Sequence, residues 1–173
     1  NYLCFALRNW KGFESKAPLF GQAAKYAYET YGLTPVFAAV EKHLDPGAGR
    51  LAAAGLDIPH YFLDDAGSAG TIIGALSRMQ AVVSMRLHAL IFAAGQGIPL
   101  AGVVYDPKVS SFLRYIGQEN FADLDALTPD LLKSMIDRVA AAPISPEEQE
   151  AAVRKLRQTE QVNVETARRL LGV

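Results

Sequence analysis

Cysteine is almost absent: Cys4 is the only one in 173 residues. An internal disulfide is therefore excluded, and a lone thiol in an apolar stretch fits a reducing compartment. Histidine is scarce as well, with three scattered at positions 43, 60 and 88, a distribution without metal-ligand spacing. Neither sign of charge dominates, since 17 Lys and Arg face 18 Asp and Glu. A net charge of −1 leaves no electrostatic footprint for a nucleic-acid or membrane-surface partner. The longest apolar region is interrupted by Arg86, His88, Gln96 and Pro99, so it is not a membrane span. No signal-peptide pattern, internal repeat or low-complexity tract occurs. Gly67-Ser68-Ala69-Gly70 is not a P-loop and no GxGxxG opens the first helix, which removes two common phosphate cradles.

What is present is an ordinary globular composition, 50% apolar and 20% charged, with enough chain for one sizeable core. The expectation is a single Rossmann-like domain over residues 1–173, ending in a helical extension from about residue 128. Because the chain starts at Asn1 and enters a strand almost at once, the further expectation is a piece of a longer, two-domain enzyme.

Periodicity and punctuation predict alternating strands and helices. Tyr2 to Leu7 reads as a strand, Pro18 to Tyr31 as a helix closed by Gly32, and Thr34 to Val40 as a second strand. Glu41 to Gly47 reads as a loop, Arg50 to Ala54 as a short helix, Ile58 to Leu63 as a third strand and Ala69 to Met79 as a helix. Val109 to Ile116 repeats apolar residues at helical spacing, and Phe121 to Leu124 is a short strand. Thr128 to Ala142 is amphipathic. Ser145-Pro146-Glu147-Glu148 carries cap, first-turn proline and capping-box glutamate for a helix running to Leu171. Strands alternating with helices argue for a parallel sheet covered on both faces, with right-handed crossovers.

The chain is organised around Ala81 to Pro107. Ala81-Val82-Val83 is a buried strand, Ala89 to Ala94 an apolar helix closed by Gly95 and Gly97, and Pro99 to Tyr105 a second buried strand. Arg86 and His88 lie between the first strand and the helix. On one helix they would point roughly 200° apart. In an extended turn, residues i and i+2 share a side. The spacing therefore predicts a turn over Ser84 to Leu87, with His88 opening the helix and both side chains beside free N–H groups suited to an anion. In open α/β sheets, the carboxyl end of a strand is where ligands bind.

These residues also resemble a known family. Ser84-Met85-Arg86-Leu87-His88 through Ala94, then Gly97-Ile98-Pro99, then Tyr105-Asp106-Pro107-Lys108-Val109, closely resemble the polysaccharide pyruvyl transferases. The nearest likeness is to the bacterial enzymes that add a pyruvate ketal to cell-wall polysaccharide. Phe5 to Trp10 resembles the start of that family's second domain, where proline is commoner than Asn9. The resemblance runs from Tyr2 to Ile116. It implies a domain like the second half of a GT-B two-domain enzyme, with phosphoenolpyruvate as donor substrate and no cofactor. It also implies a polysaccharide or lipid-linked sugar as acceptor, an N-terminal domain carrying the acceptor-side groups, and a cytoplasmic setting that includes the inner face of the membrane.

Pyruvyl transfer needs groups to hold a phosphate and a carboxylate, an acid to protonate the donor methylene, and a sugar hydroxyl to attack. The resemblance assigns His88 as general acid, with Arg86 and Arg8 gripping the anions. Ser84, Lys108 and Ser68 complete the candidates for substrate binding. From spacing alone, two accounts of His88 stand: an acid beside Arg86, or a core histidine satisfied by a carbonyl. Arg86, set in an apolar block, must find an anion or reach water. Ser68 and the aspartates before it also read as helix caps, Asp106 as a turn former, and Trp10 as packing. Two other functions share the same anion logic. A nucleotide-sugar domain of a GT-B glycosyltransferase would show an aromatic base platform and a ribose carboxylate. A non-catalytic binding module would bury Arg86 and His88 in internal bonds with no cleft beside them.

Overall fold

The computed structural model describes residues 1–141 and 145–172. Six strands form one parallel sheet: β1 (Tyr2–Ala6), β2 (Thr34–Ala38), β3 (Tyr61–Leu63), β4 (Ala81–Ser84), β5 (Leu100–Val104) and β6 (Phe121–Asp123). Their spatial order is β3-β2-β1-β4-β5-β6, every neighbouring pair parallel, as in doubly wound nucleotide-binding domains. The chain leaves β1 toward β2 and returns to β4 on its other side. The carboxyl ends of β1 and β4 therefore flank the point where the winding reverses.

Seven helices cover the sheet among the described residues: α1 (Phe13–Tyr31), α2 (Pro46–Ala52), α3 (Ala69–Leu76), α4 (Leu87–Gly95), α5 (Pro107–Tyr115), α6 (Pro129–Ala140) and α7 (Pro146–Leu171). Alternating strand residues separate two cores. Leu3, Phe5, Leu7, Val83 and Val103 face α1, α2 and α6; Cys4, Ala6, Val82 and Leu100 face α3, α4 and α5. The fold is thus α/β and Rossmann-like, with helices on both faces as expected. α7 buries none of its residues, and its Gln149 side chain donates to the Gln96 carbonyl beyond α4. Among the described residues, no helix is long and apolar enough to cross a membrane.

Several boundaries differ from the sequence expectation. α1 starts at Phe13, well before Pro18, because Phe13, Ala17, Phe20 and Ala24 form one buried stripe that runs straight past the proline. Gly12, at φ +84°, makes the left-handed turn that admits this early start. α2 begins at Pro46, inside the segment read as loop, since Asp45-Pro46 supplies a first-turn proline rather than a break. β3 forms only at Tyr61, after His60 Nδ1 has folded back to within 2.8 Å of the Ile58 carbonyl. Arg86 is extended at φ −84°, ψ 118° and α4 starts at Leu87, so His88 is the second helical residue rather than the first. α6 ends at Ala140 with Ala141 as its C-cap, and the expected end at Ala142 lies outside the described residues.

Caps explain where the remaining helices start. Ser68, Asp106 and Thr128 accept from the N–H groups of Thr71, Lys108 and Leu131. Ser145 and Glu148 complete a reciprocal capping box on α7. α4 alone among α3 to α7 starts with no side-chain cap.

Candidate functional site

The β4–α4 turn is built on Ser84. Its buried hydroxyl accepts the Arg86 N–H at 2.8 Å and lies 3.2 Å and 3.0 Å from the carbonyls of Ala6 and Arg86, to either of which it donates. Ser84 therefore clamps the turn to the end of β1 and keeps Arg86 extended. With no cap, the first N–H groups of α4 are left for another acceptor.

Arg86 is only 9% exposed, and its Nε lies 3.2 Å from Oδ2 of Asp45, itself 2% exposed. The same carboxylate oxygen accepts the N–H groups of Val40 and Glu41 at 3.1 Å and 2.8 Å. Burial raises the Asp45 carboxyl above its usual range, while those N–H groups, Arg86 and Arg8 pull the other way. Among the described residues, Arg86 Nη1 and Asp45 Oδ1 have no hydrogen-bond partner. A guanidinium nitrogen buried without an acceptor is costly unless something else binds it.

His88 occupies a different environment. It is exposed, one turn before Phe92 at a ring separation of 6.2 Å, and lines a groove of about 320 Å³ with Ser68, Val40, Glu41 and Lys42. The structure therefore brings Ser68 and His88 together. Arg86 is not among the residues lining this groove and is linked to its Val40–Glu41 wall only through Asp45. Ser68 has its hydroxyl engaged as the α3 cap and 3.0 Å from Thr71 Oγ1.

On the other side of the winding reversal, Arg8 follows β1 with its guanidinium 5.5 Å from the Trp10 ring and 5.9 Å from the Tyr105 ring. Its charge pulls the carboxyls of Asp45 and Asp106 toward lower pKa. Lys108 lies at the same ring, 6.0 Å from Tyr105, and 3.4 Å from Asp106 Oδ2. The Lys108 N–H holds the Asp106 carboxyl below its usual range, as capping does. One residue escaped the sequence reading, and a second was placed at the cleft's flank with packing as its default. Asp45, masked by a turn-like Asp-Pro pair, is the partner that Arg86 required. Trp10, read as packing, is 42% exposed with its ring 4.9 Å from that of Tyr105. Among the described residues, no three His, Cys, Asp or Glu side chains are grouped to hold a metal.

In a doubly wound α/β sheet, cations and an uncapped helix end at the reversal point are an arrangement suited to an anionic ligand. The sequence model of the polysaccharide pyruvyl transferases matches residues 1–107, from β1 to the first residue of α5, and the chain belongs to that transferase family. Among solved structures, the fold is similar to the glycotransferase of kitacinnamycin, at a TM-score of 0.59 and 15% identity. That likeness covers 92% of this chain and 40% of the other, so this chain spans less than half the length of that relative. A search of curated proteins finds no match.

Proposed function

We propose that this domain holds the donor of a polysaccharide pyruvyl transferase, and that the donor is phosphoenolpyruvate. The observation that carries the reading is the buried guanidinium of Arg86, with Nη1 unpartnered, beside the uncapped start of α4. Asp45 anchors one edge of the guanidinium and leaves another for a phosphate or carboxylate oxygen. Arg8 supplies the second cation from the end of β1, and the free N–H groups of α4 supply a third source of positive potential. Lys108 lies on the Arg8 side and Ser68 across the His88 groove; both remain donor contacts in this reading. Ser84 serves by shaping the turn.

His88 is the acid. Its proton goes to the methylene carbon of the donor, the π electrons of the enol phosphate forming the new C–H bond. The adjacent carbon becomes an oxocarbenium centre, which one sugar hydroxyl attacks with loss of its proton. A second hydroxyl of the same sugar then displaces phosphate, leaving the ketal. An exposed histidine can take its proton back from solvent, and the acceptor must reach this open edge of the sheet.

Two other readings meet specific observations. The nucleotide-sugar domain asked for an aromatic platform and a carboxylate, and Trp10 with Asp123 resembles that pair. In the groove holding them the Asp123 and Asp125 carboxylates are unpaired, and they have no proton to give a diphosphate oxygen. The binding module asked for both residues buried in internal bonds; Arg86 meets that description and His88 does not.

The test is titration of phosphoenolpyruvate into the chain, followed by amide and histidine NMR, with a UDP-sugar in parallel. Shifts confined to residues 84–90 and to His88 with phosphoenolpyruvate are expected. A response there to the UDP-sugar and none to phosphoenolpyruvate would overturn the assignment.

A further inference from the structure

Between the β1–α1 loop and the ends of β5 and β6 lies a groove of about 680 Å³. Trp10 forms one wall, with 42% of its surface open. The ring is held rather than free: Tyr105 packs on it at 4.9 Å and 57°, and the Arg8 guanidinium lies 5.5 Å from its centre. Facing it are the carboxylates of Asp123 and Asp125, which make no hydrogen bond or ion pair with any described residue. Asp106 completes the acidic side.

We infer that this groove binds a neutral sugar ring of the acceptor, stacked on Trp10 with its hydroxyls donated to Asp123 and Asp125. The inference rests on the pyruvyl-transfer reading for the identity of the sugar as acceptor, and on the groove alone for its being a sugar. An indole face carries negative charge density and suits the polarised C–H bonds on one face of a pyranose. Carboxylates accept hydroxyl protons in pairs, and those hydrogen bonds are strong because the acceptor is charged.

Hydrogen-bond chemistry decides against the competing ligands. Asp106 is paired with Lys108, which leaves Asp123 and Asp125 as unpaired carboxylates of the groove; they accept hydroxyl protons and have none to give a phosphate oxygen. The cations stand just outside the lining, with Arg8 in contact with the rings of Trp10 and Tyr105. The anion site and the sugar groove thus share Arg8 as a boundary, so a sugar on Trp10 presents hydroxyls beside the donor. The sequence expectation put the acceptor-side groups on another domain; this groove puts one sugar subsite on the same domain as the donor.

Trp10 is the only tryptophan in the chain, so its emission reports on this groove and on the Arg8 contact beside it. The experiment titrates the chain with methyl β-glycosides of glucose, galactose and mannose, and separately with UDP, phosphoenolpyruvate and inorganic phosphate. At least one glycoside is expected to give a saturable blue shift with protection from acrylamide quenching, and the anions no such protection. Asp123→Asn with Asp125→Asn should weaken that response about tenfold or more, with the emission of the free protein unchanged. No response to any glycoside up to about 50 mM, enough to fill sites with dissociation constants of roughly 10 mM, would overturn the inference. A UDP response without a glycoside response would also overturn it, in favour of a nucleotide site. Phosphoenolpyruvate is read separately at residues 84–90. Silence there with a glycoside response intact removes the donor reading and leaves the sugar groove standing.

Discussion

Nε of Arg86 sits 3.2 Å from Oδ2 of Asp45, and the same oxygen accepts the N–H groups of Val40 and Glu41. One buried ion pair thus ties the β4–α4 turn to the segment leaving β2. Both partners keep an atom unsatisfied, Nη1 on the arginine and Oδ1 on the aspartate. Such a pair is poor as a device for stability alone, because desolvation offsets the attraction. It is well suited to presenting a guanidinium edge to an incoming anion.

Removing one partner leaves the other charge buried. Arg86→Met is therefore expected to cost about 3–5 kcal/mol of folding stability, and Arg86→Lys less. Thermal or urea unfolding of both variants checks this. Phosphoenolpyruvate or inorganic phosphate should raise the melting temperature of the parent chain and not that of Arg86→Lys, which loses the planar fork. Equal stabilisation of both would exclude Arg86 from the anion site.

His88 separates function from folding. Its side chain is exposed, so His88→Gln should alter stability by no more than about 0.5 kcal/mol. In an enzyme carrying this domain, loss of a general acid is expected to reduce turnover by about 10²–10⁴-fold with donor binding retained. Turnover within a fewfold of the parent would remove His88 from the chemistry.

Cys4 offers a clean pH signature. Burial in β1 pushes its thiol from 9.0 up to about 12. The folded pKa is raised, so its contribution to stability is complete below pH 9.0 and is lost as pH climbs toward 12. The unfolded thiol ionises first, and unfolding gains about 1.4 kcal/mol per pH unit within that window. Cys4→Ala should flatten this part of the stability–pH curve. In the native protein at neutral pH, a thiol reagent should react only as fast as the chain opens; prompt labelling would contradict the burial.

Gly21 lies in the middle of α1, where Ala is ordinarily favoured by about 1 kcal/mol. A methyl there would be driven into the carbonyl oxygen of Ala52, where α1 crosses α2. Overpacking against backbone costs about 1–3 kcal/mol, so the clash should win and Gly21→Ala should lower the melting temperature. A rise would mean that α2 moves aside freely, which would also displace Asp45 at its start.

The parts of this fold that were legible in the sequence are those set by neighbours along the chain. Capping at Ser68, Thr128 and Ser145, the strand alternation of β1 and β4, and the glycine after α1 follow from hydrogen bonds and φ values within a few residues. The family words around Arg86, His88 and Lys108 are local too, and so was the demand that a buried Arg86 find an anion. Where local signals conflicted, packing decided. Pro18 looked like a helix start, but the stripe from Phe13 to Ala24 had a core to fill and carried α1 past it. The site itself is non-local. Asp45 meets Arg86 only because β2 and β4 flank β1, and Asp-Pro by itself spells a turn. Trp10 reaches Tyr105, and the groove reaches Asp123, only because β5 and β6 are added on the β4 side of the sheet. Chain neighbours set the elements; strand order, which no short stretch encodes, decided which charges and rings share a cleft.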